Sequence, residues 1–294
     1  MHMADALISP LVGGLGWAAT IATTVYAAKR LTKSPNHEQK VPMMAVLAAF
    51  VFAAQMINFS IPGTGSSGHL GGGMLLAILL GPEAAFLAIA SVLALQSLFF
   101  ADGGLLALGC NIVNLGLIPC FLVYPWLYKP MAGDGTSVGR RSVAAFVSAL
   151  VGLQLGAFGV VLQTVFSGIS ELPFNKFAVL MQSIHLGIGA VEGLVTVAVV
   201  GFLAKARPDI LDHTKGVLPA KRSYKGLALG VLGAAVLTGG LLSWFASGDP
   251  DGLEWSAAKV AGTEEIHGAS GESIHQSLKA LQEKVAFLPD YDFA

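Results

Sequence analysis

Residues 176–204 read KFAVLMQSIHLGIGAVEGLVTVAVVGFLA. The run opens on Lys176, is followed by Lys205 and Arg207, and holds only His185 and Glu192 as ionisable side chains in between. A helix rises 1.5 Å per residue and needs about 20 apolar residues to cross a bilayer. This stretch exceeds that length, so it reads as a membrane span and decides the class of the chain. His185 and Glu192 lie seven apart, two turns along one helical face. Ionisable groups inside a membrane face a bundle interior or a pathway. The two are expected to form a structural hydrogen-bond pair, with a relay or a secondary metal contact as the alternative.

The same pattern recurs outward from this span. Apolar runs fall at about 11–28, 41–58, 69–81, 84–100, 105–127, 142–166 and 226–246. With 176–204 they predict an all-α polytopic membrane protein of about eight transmembrane helices. Composition agrees: of 294 residues, 54% are hydrophobic and only 12% charged, about half the charged share of a soluble protein. The mean hydropathy is +0.69. A net charge of -1 argues against a basic nucleic-acid binder. Cys110 and Cys120 share one apolar segment without CxxC spacing and are expected to pack. The start carries Asp5 and no lysine or arginine, so it lacks the positive region of a cleavable signal.

Basic residues orient the spans. With the amino terminus outside, inner loops hold Lys29, Arg30, Lys33, Lys40, Lys129, Arg140, Arg141, Lys205, Arg207, Lys215, Lys221, Arg222 and Lys225, which is 13 of the 17 lysines and arginines. The positive-inside rule therefore favours both termini external. That orientation puts two features on one face. One is Met1-His2, whose amine, backbone nitrogen and ring can close a five-membered and then a six-membered chelate around one ion. The other is the loop from Ser60 to Gly68, leading to His69. Three nitrogens from the terminus and one from His69 would complete a square, a geometry that selects Ni(II) or Cu(II), with Co(II) the usual neighbour. A histidine at position two is by itself ordinarily a solvated end or a tag remnant; its pairing with His69 raises the metal reading. Gln55, Asn58, Ser66 and Ser67 are candidates for outer hydrogen bonds to the metal loop. The glycine-rich entry to a short span is itself a site marker, with a plain external turn as the alternative.

Several stretches resemble the CbiM/NikM family, the metal-capture membrane subunits of cobalt and nickel importers of the energy-coupling-factor type. They are MHMADALISP at 1–10, NFSIPGTGSSGHLGGGMLLAILLGP at 58–82, ADGGLLALGCNIVN at 101–114 and HLGIGAVEGLVT at 185–196. The resemblance implies that Met1, His2 and His69 hold the metal in a plane, and that Ni(II) or Co(II) is the transported substrate. It implies a membrane coupling subunit and cytoplasmic ATPase subunits as partners, within the lipid bilayer. It divides the chain into a seven-helix metal-capture domain over 1–205, a basic cytoplasmic linker over 206–225, and a span with an external tail over 226–294. Pro250-Asp251-Gly252-Leu253-Glu254, followed by Trp255, resembles the PDGLE domain of companion subunits, and the ending FLPDY at 287–291 fits the same module.

No phosphate-cradling loop with Lys-Ser or Lys-Thr occurs, so the chain is expected to hydrolyse no ATP itself. No nucleophile constellation suggests catalytic residues or an organic cofactor. The rival class is a stand-alone secondary transporter or channel for divalent metal ions, working through His185 and Glu192. Asp102, Asn111 and Asn114 are expected to tie down the start of the fifth span. The tail, 247–294, holds nine acidic residues and three lysines, with His267 and His275; a solvated acidic surface is its plain reading and weak cation collection the other. Ile274, Leu278, Leu281 and Val285 predict a short amphipathic helix from Ser273.

Overall fold

The computed structural model describes residues 1–34, 37–170, 172–206, 225–262 and 273–291. The interior of the basic linker, with Arg207, Lys215, Lys221 and Arg222, lies outside the described residues, as does His267. The architecture is helical. α1 is Pro10–Thr32 and α2 His37–Gln55. A two-stranded antiparallel hairpin follows, β1 Phe59–Ile61 and β2 Ser66–Gly68, in the register Phe59↔Gly68, Ser60↔Ser67 and Ile61↔Ser66. Then come α3 (Gly73–Leu80), α4 (Pro82–Phe99) and α5 (Leu108–Ala132), followed by α6 (Val138–Ser167), α7 (Phe174–Ala206) and α8 (Lys225–Gly240). Two short tail helices end the described chain, α9 (Gly252–Ala261) and α10 (Ser273–Val285).

Five of these helices, α1, α4, α5, α6 and α7, are long and apolar enough to cross a membrane, and Lys40–Gln55 and Leu229–Gly240 are shorter apolar segments. Their outer faces carry large apolar side chains such as Leu15, Trp126, Phe166, Leu194 and Phe202, while Glu192 and His185 point inward and are buried. This is the distribution expected where lipid is the outer solvent. Basic groups collect at one end of the bundle: Arg30, Lys33 and Lys40 share a cleft with Glu83 at the start of α4.

The third apolar run departs from a simple span. His69 does not start a helix; it lies in extended chain after β2, and α3 begins only at Gly73. At eight residues, or about 12 Å, α3 is too short to cross a bilayer alone. The chain between β2 and α3 dips into the bundle. Gly72 has φ +74°, and a Cβ on Gly73 would collide with the Leu115 carbonyl of α5, so no side chain fits at this approach. The buried polar backbone here is satisfied by protein: Glu192 accepts from Gly71 N and Gly72 N at 3.0 Å each, and Gln55 Nε2 donates to Gly71 O at 2.9 Å. Irregular backbone at this depth is tolerated because α7 and α2 cover it.

α5 is also irregular. Residues Val113–Tyr128 form a π-helix, with Pro119 and Pro125 inside it. Each proline removes a donor and crowds the turn before it, which disfavours α geometry. Cys110 and Cys120 are buried and unbridged, packed against Val12 O and Gly73 O.

Candidate metal centre

The amino terminus is an internal element. Met1 and Met3 are 4% and 0% exposed. Asn111 clasps Met3 from both sides, Oδ1 accepting from Met3 N at 2.9 Å and Nδ2 donating to Met3 O at 3.3 Å. Asp5 Oδ1 accepts from Ala107 N at 2.9 Å. The segment ADGGLLALGCN at 101–111 is thus the cradle of the first five residues, and Asn114 Nδ2 donates to Gln163 Oε1 at 2.8 Å and touches Met3 Sδ at 4.0 Å.

Within this cradle the Met1 nitrogen lies 3.1 Å from His69 Nε2. Metal–imidazole bonds of roughly 2.0–2.1 Å put adjacent corners of a square about 2.9 Å apart, so these two nitrogens stand near the spacing of neighbouring ligands. His69 Nδ1 meets Leu70 O at 3.1 Å, which directs the lone pair of Nε2 toward the amine. Burial, then the Met1 amine and His2, pushes the His69 pKa down to about 3, so the ring is neutral and able to coordinate.

The His2 ring stacks on His69 with centroids 4.8 Å apart. Its Nδ1 is 3.1 Å from Asp102 Oδ1. Although burial pushes Asp102 up, the contact with His2 holds its carboxyl well below the usual carboxylate range. His2 Nε2 is buried without a hydrogen-bond partner among the described residues. A second carboxylate faces the amine: Asp251 Oδ2 is 2.9 Å from the Met1 nitrogen and 3.9 Å from His69 Nε2. Burial pushes Asp251 up as well, but the charged amine beside it outweighs burial and keeps the group ionised. A cavity of about 820 Å³ adjoins the site, lined by His2, His69, Asp102, Asp251, Glu254 and Lys279 among others. Tail segments wall it: His275 Nε2 meets Ile8 O at 2.9 Å, Gln282 donates to Gly103 O at 2.8 Å, and Tyr291 Oη donates to Asp102 Oδ2 at 2.7 Å.

The sequence-predicted residues therefore divide. Met1, His2 and His69 meet. Gln55 braces the loop at Gly71. Ser67 Oγ binds the tail, donating to Asp249 O at 2.7 Å, while Ser66 Oγ serves both the loop and the tail, reaching Ser67 O at 3.1 Å and Pro250 O at 3.4 Å. Asn58 lines the cavity, and its carbonyl accepts from Ser247 N at 2.7 Å. His185 and Glu192 do not bond to each other. His185 Nδ1 donates to Met181 O at 2.8 Å, while both carboxylate oxygens of Glu192 are taken by the Gly71 and Gly72 amides. Sequence reasoning treated Asp102 as a tie for the fifth span and gave Asp251 no role at the site. The signals were present: Asp102 precedes a tight Gly-Gly turn, and Asp251-Gly-Leu-Glu is a capping-box pattern that fixes a carboxylate at a helix start.

The model of the CbiM family, described as the cobalt uptake substrate-specific transmembrane region, matches residues 2–210. The chain belongs to the CbiM family. A PDGLE domain matches residues 225–294 of this CbiM-family protein. It is 31% identical over 289 residues to a fused nickel transport protein NikMN of Rhodobacter capsulatus, covering 92% of this chain and 81% of that one. It is 27% identical to a cobalt transport protein CbiM of Sorangium cellulosum, covering 74% of this chain and 97% of that one. A crystal structure of a transition metal transporter superposes with a TM-score of 0.61 at 30% identity, covering 70% of this chain and 93% of that one. The CbiM-family match covers the helical bundle and the PDGLE match the tail, so the centre described above is assembled from both.

Proposed function

We propose that this chain captures Ni(II) or Co(II) on the external side of the membrane for an ATP-driven importer of the energy-coupling-factor type. In this reading it is an eight-pass subunit with both termini outside, and a membrane coupling subunit and cytoplasmic ATPases are its partners. The observation that carries the proposal is the Met1 nitrogen held 3.1 Å from His69 Nε2 inside a buried cradle. A solvated terminus would not be buried, clasped by Asn111 and aimed at an imidazole. The ion is the substrate. It would be held by the Met1 amine, the deprotonated His2 amide, His2 Nδ1 and His69 Nε2. Loading requires the amine and amide to lose protons and His2 Nδ1 to leave Asp102. A site of four nitrogens does not release its ion readily, so release falls to partner-driven motion that parts the terminus from His69.

The stand-alone transporter reading needs His185 and Glu192 free to carry protons or ions. Glu192 is committed to two backbone amides, which favours a bracing role. Uptake of radioactive nickel in cells with and without an active ATPase partner tests the proposal. Uptake should require the partner's nucleotide-hydrolysing site. Equal uptake when that site is inactivated would overturn the importer reading.

A further inference from the structure

The carboxylate nearest the terminal amine comes from the tail, 250 residues away in sequence. The tail is docked where it can deliver it. Ser67 N donates to Pro250 O at 2.8 Å, and Ser67 pairs with Asp251 as a parallel bridge, so the hairpin and the PDGLE segment share one backbone register. Trp255 Nε1 donates to Thr64 O at 3.1 Å on the same hairpin. A Cβ on Gly252 would stand 3.1 Å from Ile184 and Ile188 and 3.2 Å from His185, so glycine is what lets the segment lie against α7.

The two oxygens of Asp251 divide their work. Oδ1 caps α9, accepting from Leu253 N and Glu254 N at 2.8 Å each. That fixes the group as a helix N-cap and leaves Oδ2 on the Met1 amine at 2.9 Å. The free oxygen is thereby aimed at a nitrogen of the proposed ligand set.

We infer that Asp251 is a positioning residue of the metal centre. It holds the terminal amine beside His69 before capture and keeps a carboxylate next to these two donors afterwards, so the PDGLE segment completes the site. This rests on the capture reading proposed above and assigns the tail a part in it.

The test uses the full chain in detergent, titrated with nickel(II) alone. Asp251→Asn retains a residue that caps helices well but removes the charge. Nickel affinity should fall roughly 10–100-fold, the usual cost of losing an outer partner of a metal ligand. The visible absorption bands of the loaded protein should keep their positions, because the donor nitrogens are the same. Ser256→Ala, which removes a hydrogen bond inside α9, Ser256 Oγ to Gly252 O at 2.6 Å, without touching the amine or the cavity, should bind nickel as the wild type does. Wild-type affinity in Asp251→Asn, or an equal loss in Ser256→Ala, would show that Asp251 only builds α9. Shifted bands would make it a ligand instead. A wild-type chain that binds no nickel would sink the capture reading itself.

Discussion

The imidazoles of His2 and His69 lie face to face, 4.8 Å between centroids and 4° from parallel, with Met1 nitrogen beside one and Asp102 beside the other. The stack brings together residues 67 positions apart in a site that contains its own stand-in cation, the terminal ammonium. Two of the three nitrogen donors of the terminus are held on carboxylates, the amine on Asp251 and His2 Nδ1 on Asp102.

His69→Ala should remove nickel binding while leaving the chain in the membrane. Three nitrogens without the fourth leave one position open to water. The loss in affinity should exceed the roughly 10–100-fold that follows from removing an outer partner. Equilibrium titration with nickel, beside a membrane-fraction immunoblot, checks both halves. Near-normal affinity would show that His69 is not a ligand.

Inserting one alanine between Met1 and His2 keeps every side chain but changes the chelate. The new terminus offers an amine, two amides and the His ring, which can satisfy a square without His69. It also forces the terminal methionine out of its place beside His69 and Asp251. The chain should still bind nickel and should fail to transport it. Bound metal and uptake measured on the same cells test this; wild-type uptake would contradict it.

Capture should release two protons per nickel ion, one from the amine and one from the His2 amide. His69, with its pKa down at about 3, has none to give near neutrality. Because protons compete with the metal, apparent affinity should fall as pH drops, by roughly a hundredfold per unit while both groups are protonated in the empty site. Calorimetry in buffers of different ionisation heat gives the proton count. A count of zero would remove the amine and amide from the ligand set.

Glu192→Ala would leave the Gly71 and Gly72 amides without acceptors under α7. Each buried orphan costs about 1–3 kcal/mol, so the bundle should lose about 2–6 kcal/mol and nickel affinity should weaken with the loosened loop. Glu192→Gln keeps one oxygen and should lose less. Thermal unfolding of both variants in detergent decides it; a wild-type midpoint for Glu192→Ala would remove Glu192 from the support of the metal loop.

Much of this arrangement was legible in the sequence, and the reasons differ by element. Length and hydropathy alone mark α4, α6 and α7, because a span in lipid must satisfy its own backbone and be apolar along its length. The terminal chelate is legible from bond counting, since its atoms are adjacent in the chain. Its expected side of the membrane and its glycine context single out His69, and the structure brings it to the amino terminus, but its local structure is not legible: an apolar run signals burial and cannot tell a helix from irregular chain covered by Gln55 and Glu192. The seven-residue spacing of His185 and Glu192 puts them on one helical face, yet says nothing of the backbone amides that claim Glu192. Asp251 joins the centre only through the docking of residues 247–256 and Asp102 through its pairing with His2; local patterns mark where each carboxylate sits in the chain but not these long-range contacts.

The central claim is that the amino terminus and His69 share one ion. X-ray absorption of nickel bound to the full chain tests it most directly, with His69→Ala measured alongside. The account predicts a planar centre of four nitrogen donors in the wild type, with one imidazole missing in the variant. A six-coordinate, oxygen-rich nickel in the wild type, or a spectrum unchanged by His69→Ala, would contradict it.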